Sequence, residues 1–150
     1  MTDNAAASRP PLVLIANDQE WSSRSIESIL GPHGYAVLRA HTGKHALELA
    51  QSADVGAVVL DLRLADMSGV DVCRQLRDGA LISASAPVIV TSVGSASYAE
   101  RLEVFGAGAW AFMTQPFDGT QLLLQLETFL RARREVEALR ESSLLDLATG

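Results

Sequence analysis

Short apolar runs alternate with amphipathic stretches along this chain. Leu12–Ala16 (LVLIA) is continuously apolar and is closed by Asn17-Asp18. Such a run suits a strand buried on both faces. Trp21, Ile26, Ile29 and Leu30 then recur at helical spacing until Gly31-Pro32-His33-Gly34 stops the helix. Residues 35–40 read as a second strand, and Thr42-Gly43 opens a helix carrying Ala46, Leu47, Leu49 and Ala50. The alternation repeats. Residues 57–60 (AVVL) predict a strand ending at Asp61, and Met67-Ser68-Gly69 leads to a helix with Val70, Val72, Cys73 and Leu76. Residues 78–86 are small and polar and predict a loop. Residues 87–90 (PVIV) predict a strand ending at Thr91, followed by a helix around Tyr98 to Phe105. Residues 110–113 predict the fifth strand, ending at Thr114-Gln115-Pro116-Phe117, and a long helix starts near Asp118.

Five apolar strands alternating with five helices predict an α/β fold, a doubly wound five-stranded parallel sheet covered on both faces. Such sheets place their sites outside the carboxyl ends of the strands. The residues standing there are Asn17, Asp18, Asp61, Thr91 and Gln115.

At 150 residues the chain fits one compact domain. The pattern divides it into a loose tail over residues 1–10, a compact unit over 11–130 and a helical linker over 131–150, leading toward a missing output domain. The formal net charge of −6 argues against nucleic-acid binding. No apolar run approaches ~20 residues, so no membrane span is predicted. The start, MTDNAAASRPP, lacks the cationic and apolar regions of a signal peptide. Cys73 is the single cysteine, which excludes an internal disulfide, reads as a small buried hydrophobe and fits a cytoplasmic setting. His41 and His45 have helical spacing, but His41 precedes the predicted helix and no cysteine joins them, so zinc is not expected.

Asp18 and Asp61 each follow an apolar strand directly. If those strands are neighbours, both carboxylates project into one crevice. Close carboxylates repel, and a hard divalent cation relieves the repulsion. Mg²⁺ favours one or two carboxylates with waters and phosphate oxygens. A metal-bound carboxylate beside Thr91 could accept a phosphoryl group. Taken singly, Asp18 could merely cap the next helix and Asp61 merely end a strand.

The ordered series Asn17-Asp18, VVLD at 58–61, Met67-Ser68-Gly69, VIVTS at 88–92 and GAWAFMTQPF at 108–117 resembles the receiver domains of two-component response regulators. The resemblance implies a flavodoxin-like (CheY-like) sheet with strand order 2-1-3-4-5. It implies that Asp61 takes a phosphoryl group from a histidine kinase or phosphotransfer protein. It implies that Asp18, Asp61 and the backbone carbonyl of Arg63 hold Mg²⁺. Thr91 and Phe112 would form the switch pair, and Gly69 would permit the turn into the third helix.

Departures from that pattern bear on the chemistry. Asn17 stands where the family has a first acid; its amide could still hold a water on the metal, with one negative charge fewer. Ala65 replaces a loop proline. Gln115 stands where the family has a lysine that pairs with the phosphoryl oxygens. A neutral hydrogen bond contributes ~0.5–1.5 kcal/mol against ~1.5–3 for a charge-assisted one. A loss of that size weighs on a two-state population. Two readings follow: a phosphorylated receiver with a weakened switch, or a pseudo-receiver that acts as an interaction or dimerisation module without phosphorylation. Arg63, two residues after Asp61, could lend a guanidinium to the phosphoryl group or simply be an exposed loop arginine.

A conventional enzyme is not expected. Aspartyl phosphatases of this fold class want a second acid where Arg63 stands. Gly43-Lys44 lacks the upstream Gly and following Ser/Thr of a phosphate-binding loop. Asn17-Asp18 would repel a flavin phosphate.

The last helix outruns the compact unit, with no Gly or Pro from Gln121 to Ser143. Phe129, Ala132, Val136 and Leu139 step by threes and fours, a short heptad seam. The pairs Glu127/Arg131, Arg131/Glu135 and Arg133/Glu137 support a solvated helix. The seam predicts a weak homodimer, near micromolar. The ending SLLDLATG at 143–150 resembles the lead-in to a GGDEF diguanylate cyclase domain, with Ala148 where Leu is usual, and so suggests that class of output domain.

Overall fold

The computed structural model describes residues 11–149, with side chains through residue 142. The expected tail over 1–10 lies outside the described residues, and so do the side chains of the expected lead-in motif at 143–150.

The chain alternates β1 (Leu12–Ala16), α1 (Glu20–Leu30), β2 (Ala36–Ala40), α2 (Gly43–Ser52), β3 (Val55–Asp61), α3 (Gly69–Asp78), β4 (Val88–Val93), α4 (Tyr98–Gly106), β5 (Ala111–Gln115) and α5 (Gly119–Thr149). All strands pair in parallel in the order β2-β1-β3-β4-β5. The expected flavodoxin-like order is therefore the observed one, with the long carboxyl-terminal helix. Three strands run further than their apolar cores suggested, β3 from Val55 to Asp61. β4 continues through Thr91 to Val93, and β5 through Thr114 to Gln115, because backbone pairing carries on through Thr91–Met113, Ser92–Thr114 and Val93–Gln115.

Every residue of β3 is buried, as a central parallel strand requires. Side chains alternate between two cores. Leu14, Val58, Leu60 and Val90 face Ala46, Val72, Leu76 and Val104 of α2, α3 and α4. Val13, Val59 and Ile89 face Ile26, Leu30, Leu122 and Leu126 of α1 and α5. At ~1.5–3 kcal/mol per buried aliphatic side chain, these two layers are the main stabilising term.

Caps set the helix starts. Thr42 accepts from the His45 N–H, Ser68 from Val70, and Ser97 with Glu100 forms a reciprocal capping box. The loop over 79–86 is less solvated than its composition predicts. Ile82 and Ala86 are buried in the first core, and Arg77 donates to the carbonyls of Ser83, Ala84 and Gly108. Cys73 is fully buried, and its thiol lies 3.3 Å from the Ala107 carbonyl.

On α5 the core-facing residues are Leu122, Leu123, Leu126 and Leu130. One turn further, Arg133 donates to the Gly56 carbonyl at 2.8 Å and pairs with Glu137 at 3.0 Å, so α5 stays tied to the start of β3 beyond residue 130. Phe129 packs edge-on against Trp110, with ring centroids 5.2 Å apart. That ring is thus engaged within the chain, while Val136 and Leu139 are exposed.

Candidate functional site

β1 and β3 are neighbours, with Ala16 level with Leu60, so Asn17-Asp18 and Asp61 emerge side by side. Asp18 and Asp61 line one crevice of about 250 Å³ together with Gln19, Arg63 and Val93. Asp61 is only 7% exposed. Burial pushes its carboxyl above the usual range, and the Asp18 charge adds to the rise. The Arg63 and Leu62 N–H groups and the Arg63 charge oppose it. A carboxylate held in this way gains from an added cation. Thr91 lies directly across the ladder from Asp61 and is buried; its carbonyl accepts from the Leu62 N–H at 2.8 Å.

The loop after Asp61 is held at several points. The Arg63 N–H donates to Asp61 Oδ1 at 3.2 Å. The Gly69 N–H donates to the Leu62 carbonyl at 2.7 Å, and a Cβ at Gly69 would collide with the Asp61 carbonyl. Asp66 accepts from the Gly43 and Lys44 N–H groups at 2.7 and 3.0 Å, which docks the loop on the start of α2. The Arg63 side chain reaches the other way, to Ser92 Oγ and Glu100. Phe112 is half-buried on β5, with the Arg101 guanidinium 5.5 Å from its ring centre.

Asn17 and Gln115 do not face Asp61 in the same way. Asn17 is buried, its Oδ1 accepting from the Gln19 N–H at 2.9 Å and its Nδ2 donating to Ser22 Oγ at 2.9 Å. Gln115 Nε2 donates to the same Ser22 Oγ at 3.0 Å. Gln115 lines a neighbouring cleft with Trp21, Ser22 and Phe117. Sequence reading singled out neither Ser22, Asp66 nor Glu100. The Ser97-x-x-Glu100 spacing was a legible capping signal; the Ser22–Gln115 and Asp66–Gly43 contacts carried none, since these partners are distant in sequence.

A family model describing the response regulator receiver domain matches residues 13–127. The chain belongs to that family. The receiver's relatives agree. Transcriptional regulatory protein KdpE of Mycobacterium tuberculosis is 38% identical over 120 residues, 80% of this chain and 51% of its own. Cell cycle transcriptional regulator CtrA of Caulobacter vibrioides is 30% identical over 119 residues, 79% of this chain and 50% of its own. The receiver thus spans about half the length of these curated relatives. A CheY-like receiver domain from Methanospirillum hungatei shares the fold with a TM-score of 0.78 at 23% identity, covering 84% of this chain and 98% of its own. No helix among the described residues is long and apolar enough to cross a membrane.

Proposed function

We propose that this receiver accepts a phosphoryl group on Asp61, with Mg²⁺, from a histidine kinase or phosphotransfer protein, and passes its state through α5 to an output domain. The observation that carries this reading is the placement of Asp61, buried at the end of β3 in one crevice with Asp18 and level with Thr91. An Asp61 oxygen would form the bond to phosphorus as the donor's phosphorus–nitrogen bond breaks. Thr91 would offer its hydroxyl to a phosphoryl oxygen, and Phe112 would follow Thr91.

The donor set suits Mg²⁺. Asp18, Asp61 and the Arg63 carbonyl are hard oxygens, and no group of three or more His, Cys, Asp or Glu gathers among the described residues. Two carboxylates completed by waters are what Mg²⁺ favours. When bound, the ion would neutralise charge between the carboxylates and the phosphoryl oxygens. Asn17 Oδ1 already accepts from Gln19 and would meet a metal-bound water with its second lone pair. The SLLDLATG resemblance supports a diguanylate cyclase as the output domain. The relatives named as transcriptional regulators support a different output class.

A second reading, a phosphorylation-independent interaction module, is favoured by Gln115 being bonded to Ser22 rather than free to meet a phosphoryl group. One experiment separates the two. Acetyl phosphate or beryllofluoride with Mg²⁺ is expected to add one phosphoryl mass, or shift the Asp61 and Thr91 resonances, in wild type and not in Asp61→Asn. No adduct, with unchanged spectra at ~10 mM Mg²⁺, would leave the interaction module standing.

A further inference from the structure

Ser22 receives two side-chain amides at once. Asn17 Nδ2 and Gln115 Nε2 donate to its hydroxyl oxygen at 2.9 and 3.0 Å, joining the end of β1, the first turn of α1 and the end of β5. Ser22 and Asn17 are both 1% exposed, while Gln115 is half-buried, so the Asn17 amide left alone would be a buried donor without a partner. The network carries no formal charge. One position would hold an acid and the other a base in the usual receiver pattern, so exchanging both for amides leaves the net charge of the site unchanged.

We propose that Asn17 and Gln115 act as one neutral unit held by Ser22, and that Ser22 is therefore a positioning residue of the phosphoryl pocket. Recharging one member alone disturbs the unit. Asn17→Asp by itself adds an unpaired carboxylate beside Asp18 and Asp61 and gives up the donor to Ser22. Gln115→Lys by itself gives up the neutral bond to Ser22 and places an ammonium beside an Asn17 that carries no charge to offset it. Made together, the two charges face each other across Ser22 and offset one another. The proposal rests on the receiver reading for its effect on phosphoryl binding, whereas the bridge itself can be tested without it.

The test uses the full chain and two readouts. In NMR spectra the side-chain amide resonances of both Asn17 and Gln115 should move in Ser22→Ala and return toward their wild-type positions in Ser22→Thr. Movement of only one, or of neither, overturns the bridge. In a beryllofluoride titration with Mg²⁺, Asn17→Asp/Gln115→Lys should bind about fivefold more tightly than the product of the single effects predicts. Effects that multiply to within about twofold would overturn the coupling. A wild type that binds no beryllofluoride would count against the receiver reading instead, and the amide resonances would still decide the bridge.

Discussion

Arg63 and Glu100 form an ion pair at 2.9 Å between the loop after β3 and the first turn of α4. The same guanidinium donates to Ser92 Oγ at 3.1 Å. Glu100 is held below the usual carboxylate range first by its bond from the Ser97 N–H and then by the Arg63 charge. Both partners are substantially exposed, so water screens the pair and its contribution to folding is small.

Glu100→Gln should therefore leave the melting temperature almost unchanged while freeing Arg63 for the crevice it lines with Asp61. Beryllofluoride affinity should rise about two- to fivefold, the size of one exposed charge contact, and Arg63→Ala should lower it by a similar factor. Equal affinities in all three proteins, measured by titration calorimetry, would assign Arg63 no part in anion binding.

Gly69→Ala should be costly. The new methyl would meet the Asp61 carbonyl and lie 2.9 Å from the Leu62 Cα, both backbone atoms that cannot rotate aside. The loop must shift, with a loss of about 1–3 kcal/mol in urea unfolding. Because the collision is with Asp61 itself, its resonances should move as well. A stability within about 0.5 kcal/mol of wild type would show that the loop has slack.

Asp66 makes a pH prediction. Its carboxyl lies below the usual range because the Lys44 and Gly43 N–H groups donate to it. A carboxyl lowered on folding adds stability above its unfolded value, about pH 4, and that contribution is lost as pH falls through the lower native value. Asp66→Asn should therefore reduce the urea midpoint at pH 7, with the difference from wild type vanishing in acid. A difference that is constant from neutral to acid pH would mean that charge is not what the loop uses.

The exposed stripe of α5 should support only weak pairing. Val136 is 41% and Leu139 70% exposed, while Phe129 already packs on Trp110. A homodimer along α5 would have to bury Ala132, Val136 and Leu139 without the Phe129 ring. Sedimentation should show reversible association approaching ~100 µM, abolished in Val136→Glu/Leu139→Glu. A wild type that stays monomeric at that concentration, or a double mutant that still associates, would remove the seam.

Local pattern determined much of this receiver from sequence alone. Strand and helix alternation follows from side-chain periodicity over a few residues, so the five βα units, the ends of β1 and β3, and the emergence of Asp18 and Asp61 were all legible. The role of Gly69 at the turn into α3 was legible through the family resemblance rather than through periodicity. What only the tertiary structure decided lies between residues far apart in the chain. Ser22 meets Gln115 across 93 positions, Arg63 meets Glu100 across 37 and Asp66 meets Gly43 across 23. None of these pairs leaves a periodic trace, because a single polar side chain on a loop or first turn has many possible partners in sequence. Only the packing of α1 on one face of the sheet, and of α2 and α4 on the other, selects among them. Gln115 shows the difference most plainly: its replacement of a charge could be read in the chain, but its bond to Ser22 could not.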